Sequence, residues 1–166
     1  METKTLVRHF INELKKEDTA SRKCLERIPD TLYKYKPHEK SMEFGYLALL
    51  VAEIPLWITS TIRDSVIDFA TYKHFQLSTT DALVEHYDEN LKTAIATLEQ
   101  ATDEQLSGDF SLKNNGQLLY SAPKIDSIAE DINHWVHHRG QLTVYMRLND
   151  IMVPSIYGPS ADDRKF

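Results

Sequence analysis

Apolar positions recur at helical spacing along four long segments of the chain, at about residues 6–29, 41–69, 80–98 and 124–148. The third segment is the clearest amphipathic helix, with acidic residues opposite its apolar face. The second is apolar on most sides, as expected of a helix buried between neighbours. Pro55 is expected to kink or divide it, because proline removes a backbone donor. Long helices with short breaks predict an antiparallel four-helix bundle.

The connections between these segments show three other patterns. Residues 71–80 are polar and are predicted to form a loop. Between Ser107 and Pro123 apolar residues alternate around Asn114-Asn115-Gly116, which predicts a short hairpin or an ordered loop. Residues 153–159 contain two prolines and are expected to be extended. The predicted fold class is therefore all-α, one bundle domain over residues 1–166 with a short hairpin or loop before the last helix.

Composition narrows the functional classes. A chain of 166 residues is long enough for one well-filled core, and its apolar run at 47–52 is too short for a membrane span. The formal net charge of −6 offers no broad surface for phosphates, so we expect no nucleic-acid partner. The N-terminus lacks the pattern of a signal peptide, which favours a cytoplasmic location. Cys24 lies in an apolar helical pattern and is expected to be a small buried side chain.

Histidine is the one unusual residue type, with seven copies. His134 and His138 lie only about 40° apart on the last helix, so both imidazoles can meet one transition-metal ion. His137 points elsewhere on the same helix. Chance alone would give roughly 0.3 such pairs, so the spacing is a weak motif. The alternative is a pair of partly buried histidines hydrogen-bonded to neighbours such as Asp131 or Tyr145. The remaining histidines are expected to be solvated: His9, His38, His74 and His86.

Several strings in the chain resemble the DinB-like superfamily, also called damage-inducible or YfiT-like bundle proteins. The most characteristic is NHWVHHRGQL at 133–142. The others are KPHEKSM at 36–42, AEIPLW at 52–57, YMRLND at 145–150 and VPSIYGPSAD at 153–162. The resemblance covers most of the chain. It implies a four-helix bundle, commonly a homodimer, with a metal bound by one histidine of the second helix and two of the last.

The resemblance also identifies a departure from the family pattern. The last-helix pair corresponds to His134 and His138, but the second-helix histidine corresponds to Leu50, which has no ligand atom. The inherited site is therefore incomplete. Glu53, one turn beyond Leu50, is the candidate replacement ligand. The cofactor expected from the resemblance is a divalent transition metal, zinc or nickel, unless the site has been lost.

Three functions follow from these observations. The first is a metal-dependent transferase or hydrolase-like enzyme, since relatives include thiol-dependent transferases in which a metal would lower the pKa of a bound thiol. The second is a non-catalytic bundle whose pocket binds a small apolar or amphiphilic molecule. The third is a structural dimer without a ligand. The metal-dependent enzyme is the leading expectation, and the leucine at position 50 shifts weight toward the second function.

Overall fold

The computed structural model describes residues 2–164. Over these residues the chain forms five α-helices, three short strands and one 3-10 turn at Asp30–Leu32. The helices are α1 (Glu2–Leu25), α2 (Phe44–Arg63), α3 (Thr80–Gln100), α4 (Asp103–Leu106) and α5 (Lys124–Leu148). The strands are β1 (Val66–Asp68), β2 (Asp109–Asn114) and β3 (Gln117–Pro123).

Helix α2 is the centre of the bundle, packed between α3 and α5 with α1 completing the core. Most of its residues are buried, including Phe44, Leu47, Val51, Ile54 and Ile58. By length and composition α2 could cross a membrane, but 83% of its apolar window is buried inside the protein. Its apolar character is thus that of a core helix. Cys24 is buried as expected, and burial raises the pKa of its thiol to about 11.

Helices α2 and α5 run antiparallel, and their side-chain contacts set the register between them. The rings of Phe44 and Tyr145 lie 5.5 Å apart near one end, and those of Trp57 and His134 lie 5.6 Å apart further along. Interpolating between these two contacts places Leu50 opposite about residue 140. Leu50 therefore lies at the level of His138 and Gln141 on α5.

The prediction of an all-α four-helix bundle is wrong, because the chain also forms a three-stranded mixed sheet. Strand β1 pairs in parallel with β2, and β2 pairs antiparallel with β3. For residues 107–123 the sequence predicted either a short hairpin or an ordered loop. The structure contains the β2–β3 hairpin there, with Asn115 and Gly116 at positive φ in its turn. A fifth, one-turn helix, α4, precedes it with a capping box between Thr102 and Gln105.

The second helical segment also ends earlier than predicted. Helix α2 ends at Arg63 instead of continuing to Phe69, because Ser65 adopts a left-handed φ of 61° and turns the chain into β1. Pro55 does not divide the helix, which continues through it within the packed core. After β1 the chain crosses to α3 through residues 69–79, called the 69–79 segment below, which contains no helix or strand.

Candidate functional site

The structure brings His134 and His138 of α5 together. Their Nε2 atoms lie 2.8 Å apart, and the Nδ1 atom of His138 lies 2.8 Å from Oε1 of Gln141. Because an amide oxygen only accepts, His138 Nδ1 carries the proton, and its Nε2 accepts the hydrogen bond donated by His134 Nε2. The partners named from the sequence are not the actual ones. Tyr145 donates to the carbonyl of Met42 instead, at 3.1 Å.

The histidine pair is uncharged at neutral pH. Burial, together with repulsion from the neighbouring imidazoles of His138 and His137, lowers the pKa of His134 to about 4. Burial also lowers the pKa of His138, against the opposing hydrogen bond with Gln141. Burial disfavours the charged imidazolium, so both rings keep a nitrogen lone pair for hydrogen bonding or coordination.

Trp57 of α2 packs against the histidine pair and is itself surrounded by other aromatic side chains. The Trp57 ring lies 5.6 Å from the His134 ring. It also contacts the rings of Phe69 and Tyr72, which both belong to the 69–79 segment. Trp57 Nε1 donates to the Tyr72 hydroxyl at 3.2 Å. Burial raises the pKa of Tyr72 to about 12, and the nearby Glu53 carboxylate adds to the shift. The site therefore combines neutral imidazoles with an aromatic wall.

Glu53 does not join the histidine pair. It is only 1% exposed, and its carboxylate accepts the backbone N–H of Phe75 at 2.8 Å and contacts His74 Nδ1 at 2.7 Å. His86 Nε2 lies 3.5 Å from the other side of the carboxylate. Burial alone would raise the pKa of Glu53, but the nearby His86 ring and the hydrogen bonds from Phe75 and His74 lower it below its usual value. The carboxylate is therefore ionised and already occupied.

The expectation that His74 and His86 are merely solvated is wrong, because both contact Glu53. His86 also stacks on Phe75 with ring centroids 4.2 Å apart and bonds Asn90 Nδ2 at 3.1 Å. The sequence contains one signal for this cluster of Glu53, His74 and His86, because Glu53 is an acidic residue within the most apolar helix. A carboxylate buried there needs polar partners, which have to come from other elements.

The residues of the site do not fit the three-histidine metal centre that the resemblance implies. Two imidazole nitrogens converge, but the third position is Leu50, and Glu53 is held away by the 69–79 segment. Within residues 2–164, no three histidine, cysteine, aspartate or glutamate side chains are grouped to hold a metal ion. Structural and catalytic zinc sites use at least three protein ligands, so this donor set supports at most weak binding.

Comparison with known proteins agrees with the resemblance. The chain is 26% identical over 161 residues to the uncharacterized protein YrdA of Bacillus subtilis (strain 168), covering 93% of this chain and 90% of that protein. The DinB-like protein YjoA of Bacillus subtilis shares its fold with a TM-score of 0.68 and 22% identity, over 94% of this chain and 99% of YjoA.

A DinB-like protein from Bacillus cereus ATCC 10987 also has this fold, with a TM-score of 0.67 and 22% identity over 89% of this chain and 95% of that one. These two likenesses establish the fold. The model of the DinB family matches residues 1–165. This chain therefore belongs to the DinB family.

Proposed function

We propose that this chain is a DinB-family protein that has lost the complete three-histidine metal centre and binds a small apolar or amphiphilic molecule beside the His134–His138 pair. The observation that carries the proposal is the chemistry at the third ligand position. Leu50 supplies no donor atom, and the Glu53 carboxylate is bonded to Phe75 and His74. A neutral imidazole can hydrogen-bond the polar end of such a molecule while the Trp57 indole contacts its apolar part.

The rival function is a metal-dependent transferase or hydrolase-like enzyme that uses a thiol. One observation favours it, the convergence of the His134 and His138 Nε2 atoms to 2.8 Å. The bond from His138 Nδ1 to Gln141 also fixes the tautomer that a metal-ligating histidine requires. Under this function water or a small thiol would have to complete the coordination shell. The homodimer and the cytoplasmic location expected from the sequence stay predictions.

Metal analysis separates the two functions. We expect untagged protein incubated with zinc or nickel and then desalted to retain less than about a tenth of an equivalent of metal, because two protein ligands bind weakly. Leu50→His should raise the zinc affinity by more than about tenfold, because it supplies a third imidazole at the level of His138. Leu49→His is the matched control, since it places a histidine on the same helix but about 100° away.

Stoichiometric metal in the wild-type protein would contradict the proposed loss of the centre. An equal gain for Leu49→His and Leu50→His would show that the interpolated register between α2 and α5 is wrong. Isothermal titration calorimetry with zinc chloride measures both affinities, and circular dichroism checks that each variant keeps its helical content.

Ligand binding is tested with the uncharged fluorescent probe N-phenyl-1-naphthylamine. We expect the probe to bind the wild-type protein and Trp57→Leu to weaken binding by about fivefold, because one aromatic contact is removed. Leu119→Ala is the matched control, since Leu119 is an exposed apolar residue on the β2–β3 hairpin. Unchanged binding in Trp57→Leu, or a similar loss in Leu119→Ala, would place the probe elsewhere and contradict the proposed site.

A further inference from the structure

The Glu53 carboxylate ties the 69–79 segment to the centre of the bundle. Its two oxygens contact consecutive residues of that segment, Oε1 accepting from the Phe75 backbone and Oε2 bonding His74 Nδ1. Residues 72–79 of the segment have no helical or strand hydrogen bonds of their own. The buried, charged carboxylate of Glu53 is therefore the strongest polar attachment of residues 72–79 to α2.

The same segment leads from Glu53 to the histidine pair. Tyr72 precedes His74 by two residues, and their rings form an edge contact at 4.9 Å. The Tyr72 hydroxyl accepts the bond from Trp57 Nε1, and the Trp57 ring contacts His134. Trp57 itself lies one helical turn after Glu53 on α2. A continuous series of contacts thus joins the carboxylate to the site, through the segment and back to the same helix.

We propose that Glu53 is a positioning residue, whose carboxylate fastens the 69–79 segment beside the site and holds the Trp57 indole in place against His134. This inference deepens the proposed function, and rests on it only in naming the site as a ligand site. Burying the Glu53 carboxylate costs desolvation, although the 69–79 segment and α3 both supply partners, and a well-packed apolar residue at such a position is often at least as stabilising. What an apolar residue cannot do is accept the Phe75 N–H and orient the His74 ring.

The test compares Glu53→Gln with Glu85→Gln. Both changes remove one negative charge and preserve shape, but Glu85 is exposed on α3. Hydrogen exchange is measured by mass spectrometry on the folded full-length chain. In Glu53→Gln we expect exchange at residues 73–77 to become at least about tenfold faster, because the charged acceptor of the Phe75 amide is lost. Exchange in α1 and α3 and throughout Glu85→Gln should remain close to wild type.

A second readout reports on the site itself. We expect carbethoxylation of His134 by diethyl pyrocarbonate to become several-fold faster in Glu53→Gln, because release of Tyr72 frees the Trp57 indole. The exposed His38 serves as the internal reference. Neither readout needs a bound ligand, so failure of the wild-type protein to bind the naphthylamine probe would count against the proposed function and leave this test intact.

Unchanged exchange at residues 73–77, or an unchanged rate at His134, would overturn the proposal. A uniform acceleration over the whole chain would also overturn it, because it would show a purely structural role. If Glu53→Gln does not fold, His74→Gln replaces it. The His74 side chain is partly exposed, and replacing it removes only one of the contacts of the Glu53 carboxylate. Exchange at residues 73–77 should therefore become faster by a smaller factor than in Glu53→Gln.

Discussion

Asp131 belongs to a second buried polar group, separate from the histidine pair. Its Oδ2 atom and two other buried atoms of the same helix, Ser127 Oγ and Trp135 Nε1, have no hydrogen-bond partner within the described chain. Burial raises the pKa of Asp131 to about 8, and the charge of Glu130 adds to the shift while Thr61 opposes it. At neutral pH the folded protein therefore holds Asp131 largely protonated, whereas the unfolded chain ionises it near pH 4.

This difference predicts how Asp131→Asn changes the pH dependence of stability. Between pH 4 and pH 8 the folded state binds one proton more than the unfolded state, so Asp131 lowers the free energy of unfolding as the pH rises. The loss is up to about 1.4 kcal/mol per pH unit. Asp131→Asn removes this loss, and its stability relative to wild type should therefore increase from pH 4 to pH 8.

Urea denaturation at each pH measures the difference between the two proteins. Asp126→Asn is the control, because Asp126 is an exposed aspartate on the same helix. Because its side chain is exposed, Asp126→Asn should not show the steady gain relative to wild type that is expected for Asp131→Asn. A constant difference for Asp131→Asn as well would contradict the raised pKa.

The residues of the candidate site differ in how far the sequence could predict their contacts. His134 and His138 lie four residues apart on one helix, so helical geometry alone brings their rings together. Glu53 lies 21 residues from His74 and 33 from His86, and their contact depends on the path of an irregular segment. Periodicity carries no information about such a path. The spacing of apolar residues therefore could not show that Glu53 is already bonded.

Among the elements, β1 shows why helical spacing led to the wrong fold class. Val66 and Phe69 continue the apolar spacing of α2, yet they are 38% and 41% exposed, and Ile67 between them is the buried residue. Three residues are too few to show the alternation of a strand. The strand is instead fixed by tertiary contacts. Asp68 accepts backbone hydrogen bonds from Ala70 and from Asn115 and Gly116 in the hairpin turn.

The four long helices, in contrast, were predictable because each buries a continuous apolar face over 20 or more residues. Over such lengths the 3.6-residue period is repeated often enough to exclude other structures. The sheet and the one-turn helix α4 are short, and they lie at the end of the bundle where α2 ends and α5 begins. Local sequence therefore determined the bundle, whereas packing determined the additions that make the fold mixed.

At the scale of the whole molecule, one ion pair joins the first helix, the last helix and the C-terminal segment. Arg139 of α5 is 2% exposed and bonds Glu17 of α1 at 2.6 Å. The Tyr157 hydroxyl, from the segment after α5, accepts from Arg139 Nη2 at 2.9 Å and donates to Glu17 Oε2 at 3.0 Å. The strings at 133–142 and 153–162, which carry the family resemblance, thus meet at this ion pair.

A double-mutant cycle tests the energetic role of this ion pair. Glu17→Gln should lower the free energy of unfolding by about 3 kcal/mol, because it leaves the buried Arg139 guanidinium without a counter-charge. Adding Arg139→Met removes that charge, so the double variant should be more stable than Glu17→Gln alone. Asp88→Asn breaks the ion pair between Asp88 and Arg22, in which the two side chains are 45% and 44% exposed. Because solvent weakens an exposed pair, this change should lower the free energy of unfolding by less than about 1 kcal/mol. Urea denaturation at neutral pH of the wild type, both single variants of the pair, the double variant and Asp88→Asn gives these free energies. Equal costs for Glu17→Gln and Asp88→Asn would show that burial gives the Arg139 pair no special importance.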